Sequence, residues 1–84
     1  MRRLKETWVL HGTRVAVEGD AIEIERLLKD ELEEVSVTDG GWRTLLRSRA
    51  DGRFWELSYP QSHMHGGGPR TLAELGIPSV ADWT

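Results

Sequence analysis

The side chains best equipped for chemistry lie in one stretch. Glu56 sits within Phe54-Trp55-Glu56-Leu57-Ser58-Tyr59, followed by His63 and His65 and then by Gly66-Gly67-Gly68. A carboxylate between aromatic residues can act as a general acid or base, provided it has a partner group and a pocket. On a strand the same residue can instead pair across to an arginine, and Arg43 or Arg47 falls opposite or diagonal to it. Structural pairing is the simpler reading. His63-x-His65 places two imidazoles on one side of an extended segment. Zinc needs three or four ligands, and beyond Asp39 or Asp51 nothing in the chain suggests the others. Consecutive glycines can offer amide donors to a phosphate, but the Lys-Ser/Thr pair of a nucleotide loop and the spacing of a dinucleotide loop are missing. No metal or other cofactor is expected.

The elements that must position these residues can be read from spacing. Trp42–Ser48 and Arg53–Tyr59 form two strands around Ala50-Asp51-Gly52, because Asp-Gly is a strong hairpin signal. A two- or four-residue loop sets Trp42, Thr44 and Leu46 on one face with Trp55, Leu57 and Tyr59. A three-residue loop would mix Arg43 and Arg47 into that apolar face, so an even loop is predicted. The reverse face then carries Arg43, Leu45, Arg47, Phe54, Glu56 and Ser58, with Phe54 exposed as a contact residue. On this division Phe54→Ala should leave stability nearly unchanged, whereas Trp55→Ala should cost about 3–5 kcal/mol as a core truncation.

Upstream, Trp8–Leu10 and Arg14–Glu18 read as short strands around His11-Gly12-Thr13. Asp20 and Glu23 suggest a capping box. Ile24, Leu27, Leu28, Leu32 and Val35 follow at helical spacing. Ala21–Glu25 also alternates like a strand, but the cap favours the earlier helix start. Ser36–Gly41 reads as a break. Downstream of Pro60 the glycines demand a loop, Leu72–Leu75 suggests a helical turn, and Ser79 would cap a last turn at Val80–Trp83, with Trp83 docking on the core. The predicted fold is α+β: a small antiparallel sheet with a central hairpin packed on one main amphipathic helix, and a short C-terminal helical turn. The whole of residues 1–84 is expected to form one domain.

Composition narrows the function classes. The chain has 84 residues, 38% apolar and 30% charged, and a net charge of −3. A nucleic-acid binder would usually be basic, so no nucleic-acid partner is expected. The acid is concentrated in Glu18–Glu34, which reads first as a solvated helix face and second as a surface for a basic partner. Absence of cysteine fits a reducing compartment. No apolar run approaches the ~18 residues of a membrane span, and no hydrophobic stretch follows Arg2-Arg3. A cytoplasmic protein with no membrane partner is expected, monomeric in its free state.

Trp42-Arg43-Thr44-Leu45, then Asp51 through Ser62, then His65-Gly66-Gly67-Gly68-Pro69 together resemble the immunity protein 27 family of bacterial polymorphic-toxin systems. The likeness spans about residues 41–69 closely and the preceding helix loosely. Leu46 and Phe54 stand where the family pattern has Tyr, His63 where it has an acidic residue, and Arg70 where it has a second Pro. His63 is therefore not a family ligand. The resemblance implies a non-catalytic binder that neutralises a cognate toxin domain. Aromatic residues and arginine are enriched at binding hot spots, so the expected toxin-binding residues are Arg43, Arg47, Arg53, Phe54 and Glu56, with Ser62, His65, Gly66 and Gly67 of the loop. The alternative is a small metal-dependent hydrolase or other enzyme using Glu56 and His65.

Overall fold

A computed structural model describes residues 1–61 and 68–83 of the chain, with Asp39 described in its backbone alone. In chain order the elements are β1 (Arg3–His11), β2 (Arg14–Gly19), α1 (Ala21–Asp30), β3 (Leu32–Thr38), β4 (Arg43–Ser48), β5 (Phe54–Ser58) and β6 (Thr71–Leu75), with short 3₁₀ turns at Asp39–Gly41 and Val80–Asp82. The strands form one sheet in the order β2-β1-β6-β5-β4-β3, and every neighbouring pair is antiparallel. The α+β architecture expected from sequence is the one observed.

The central hairpin has the predicted facing. Leu46 pairs with Trp55 and Thr44 with Leu57, while Ser48 N–H donates to Arg53 O at 2.8 Å across a four-residue loop, 49–52. Gly52 adopts φ +73°, the left-handed conformation that its place in the loop requires. Ser48, buried, holds the loop from beneath by accepting from Ala50 N–H at 3.3 Å. The Leu46/Trp55 face meets α1 in a core of Ile24, Leu27, Leu32, Leu46, Trp55 and Leu72, with Leu4, Leu28 and Leu57 packed around it.

Four expectations fail for identifiable reasons. The helix ends at Asp30 instead of running through Val35, and Leu32–Thr38 becomes edge strand β3. Leu32 is buried under either assignment. Pairing with β3 satisfies the outward-facing backbone groups of β4, which a longer helix would have left without strand partners. Val35 falls at a register shift between Glu34 and Ser36, a bulge that leaves it 38% exposed.

Thr71–Leu75 is a strand too, not a helical turn: β6 bonds to β1 on one side and β5 on the other, and fully buried Leu72 sits between Leu4 and Leu57. Asp20 precedes the helix but its side chain does not cap it. The Asp20 carboxylate accepts from Lys5 N–H at 3.0 Å, and Glu23 pairs with Arg26 and Arg2. Trp42, expected inside, is 43% exposed and packs edge-on against Tyr59 at 5.3 Å. A ten-residue helix is only about 15 Å long and does not reach that end of the sheet.

Candidate functional site

Strand alternation places Arg43, Leu45, Arg47, Phe54, Glu56 and Ser58 on the sheet face away from α1, as expected. This reverse face is not open, however. After β6 the chain returns across it. Pro78 lines a depression with Glu33, Arg47, Ser48, Arg49, Gly52 and Phe54, and Trp83 docks beside Arg43 and Glu56. Leu45 is fully buried and Phe54 is 9% exposed. Phe54 points outward from the helix side, but it is a second-core residue under the C-terminal segment, not an exposed anchor. Trp83 correspondingly docks on the reverse face and not on the helix-side core.

Glu56 is the centre of a held polar group. Arg43 Nε donates to its Oε1 at 2.8 Å, and the Trp83 indole N–H donates to its Oε2 at 3.2 Å. The Arg43 guanidinium also lies 5.0 Å from the Trp83 ring centroid, within cation–π range. Hydrogen bonding from Arg43 holds the Glu56 carboxyl below the ordinary glutamate range, against the opposing effect of burial. The predicted cross-strand Glu–Arg pair is present, with a third member that strand spacing alone could not show. Buried indoles need an acceptor, and that requirement is the signal that could have linked Trp83 to Glu56.

The other expected residues are distributed unequally. Arg47 shares the reverse face, donates to Glu33 at 2.9 Å and keeps a half-exposed side chain. Arg53 turns to the helix-bearing side and donates to Glu74, the residue opposite Trp55, at 2.8 Å. The structure therefore brings Arg43, Arg47, Phe54 and Glu56 together and separates Arg53 from them. Ser62, His65, Gly66 and Gly67 lie outside the described residues, as does His63. Among the described residues no group of three or more acidic or histidine side chains could hold a metal ion, and no helix is long and apolar enough to cross a membrane.

A second polar cluster went unread in the sequence. Arg70 Nε donates to Glu6 Oε2 at 2.9 Å, Arg70 N–H to Glu6 Oε1 at 2.9 Å, and Arg70 Nη2 to Glu25 Oε1 at 2.5 Å. Burial alone would push the Glu6 carboxyl up, but hydrogen bonds from Arg70 outweigh it and hold it below the ordinary range. This cluster ties β1, α1 and the start of β6 together, so its role is structural.

The immunity protein 27 family profile matches residues 11–76. No curated protein and no solved structure matches the chain.

Proposed function

The chain belongs to the immunity protein 27 family, and from that premise we propose that it binds a cognate bacterial toxin domain in the cytoplasm and neutralises it without catalysis of its own. The observation that carries this reading is the extent of the match, which takes in the whole of α1 and of every strand except β1. The geometry of Glu56 is consistent with it. An ionised carboxylate already engaged by Arg43 and Trp83 is poorly placed to exchange protons near neutral pH, so the hydrolase alternative gains nothing.

The contact surface we assign is the reverse face. Arg47 offers the more accessible charge, and Arg43, Glu56 and Trp83 form a pre-organised group beside it, with Phe54 as support beneath. Ser62, His65, Gly66 and Gly67, expected from sequence to belong to a contact loop, remain candidates beside it. Arg53, held by Glu74 on the opposite side, is left out of that surface. Interfaces concentrate their energy in a few arginine and aromatic anchors backed by rigid neighbours.

The test is a search of the neighbouring open reading frames for a toxin domain, followed by its co-expression with this chain. The chain should rescue growth of a susceptible bacterium, and the purified pair should form a complex by calorimetry. Arg47→Ala should weaken that complex by at least about 1 kcal/mol. Failure to rescue and failure to associate would reject the function. Rescue with no loss on Arg47→Ala would reject the surface alone.

A further inference from the structure

The sheet has two edges, β2 and β3, and they are built differently. Edge β3 carries the devices that discourage strand addition: the bulge at Val35 and the adjacent like charges Glu33 and Glu34. Edge β2 has neither. Its sequence Arg14-Val15-Ala16-Val17-Glu18 pairs with β1 in unbroken register, and its middle holds no charge and no proline. From Thr7 onward β1 pairs with β2 alone among the described strands, so the hairpin projects beyond β6 as a two-stranded ribbon. Such ribbons are marginal by themselves in water. This one leaves Leu10 69%, Val15 59% and Val17 51% exposed on its helix-bearing side, bordered by Ile22 at 86%.

The backbone of β2 is poised outward at two positions. The two-residue turn makes His11–Arg14 a hydrogen-bonded pair, and bonded pairs recur at alternate positions, Val9–Ala16 and Thr7–Glu18. The series continues at the ribbon's base, where Asp20 N–H donates to Lys5 O at 2.9 Å. Val15 and Val17 fall between these pairs, so their N–H and C=O groups face away from β1.

We propose that β2 pairs with β2 of a second copy of this chain, antiparallel and centred on Ala16. In that register Val15 exchanges both backbone hydrogen bonds with Val17 of the second copy, and Arg14 stands opposite Glu18 of the second copy on both sides of the two-fold axis. The strand is self-complementary in charge only at this register, because neighbouring registers separate Arg14 from Glu18. The apolar side chains also become continuous. Trp8 and Val17 of one copy line up with Val15 and Leu10 of the other, and the symmetric row repeats below it. Four strands then replace two exposed pairs. The free chain is thus a dimer, in place of the monomer expected from sequence.

Sedimentation equilibrium of the full chain over a concentration series tests this, and a reversible monomer–dimer equilibrium is expected. Arg14→Glu or Glu18→Arg, both at exposed positions, places like charges opposite each other twice and should weaken association about tenfold. The exchanged variant Arg14→Glu/Glu18→Arg should restore it, with circular dichroism confirming that all three fold. A monomer at every concentration overturns the proposal. So does a dimer indifferent to the single reversals, or one that the exchange fails to restore. A monomer whose toxin affinity drops on Arg14→Glu would reassign this edge to the toxin and also overturn it.

Discussion

Two glutamates, Glu56 and Glu6, sit where burial opposes ionisation and an arginine overrides it. Their folded-state affinity for protons is below that of the unfolded chain, so the unfolded state binds more protons on acidification. The stabilisation is complete above about pH 5 and is lost as the pH falls through and below about 4. Denaturant titrations across that window should show a falling midpoint, and Glu6→Gln should lower the midpoint near neutral pH while making the acid dependence shallower. An unchanged acid slope would show that Arg70 does not hold Glu6 in solution. At the same scale, Phe54 changes the expectation drawn from sequence. A 9% exposed phenylalanine between Arg47 and the Pro78 segment should cost about 3–5 kcal/mol on truncation to alanine, comparable with Trp55→Ala on the other face. Chemical denaturation of both variants checks this, and a near-neutral Phe54→Ala would mean that the C-terminal segment leaves the face. Strand alternation was enough to show which way Phe54 points. Its burial was not legible, because a residue's facing is local and its cover, Pro78, arrives from 24 positions later in the chain.

The central hairpin was readable because turn chemistry and apolar alternation agreed: Asp51-Gly52 fixed the turn and the Leu46/Trp55 pairing fixed the face. β3 and β6 were not readable, because each is a strand by virtue of its neighbours. Leu32-Glu33-Glu34-Val35 satisfies a helical stripe as well as an edge strand, and Leu72-Ala73-Glu74-Leu75 has good helix formers in a position that only two flanking strands can define. The turn from β2 into α1 shows a local constraint that the residue type does disclose. Gly19 adopts φ +71°, and a β-carbon there would lie 2.7 Å from Lys5 O. That close approach lets Asp20 bond back to Lys5 through both its N–H and its carboxylate. Gly19→Ala should therefore destabilise the chain by roughly 1–3 kcal/mol, measured as a drop in melting temperature, from left-handed strain together with loss of that junction. A neutral substitution would show that the junction shifts freely.

The whole molecule is elongated, 45 × 25 × 19 Å, and its stability should be graded along the long axis. Core residues come from α1 and from β3 to β6, whereas β2 contributes none of them. Opening free energies follow buried apolar contact, so the ribbon should open at lower cost than the sheet centre. Hydrogen exchange should find the slowest amides in β5 and β6, each flanked by strands on both sides, and the fastest strand amides in β2. Within β2 a finer pattern follows from the ladder. Ala16 and Glu18 donate toward β1 and should be protected at any concentration, while Val15 and Val17 point outward and should exchange rapidly in dilute solution. Raising the chain concentration should then slow Val15 and Val17 selectively, because pairing of two ribbons satisfies those two donors and no others nearby. Uniform slowing of the whole hairpin would instead indicate a contact through the exposed apolar face around Leu10 and Ile22 without strand pairing. The residue-by-residue alternation distinguishes an extended sheet from simple hydrophobic apposition, which a mass measurement alone does not.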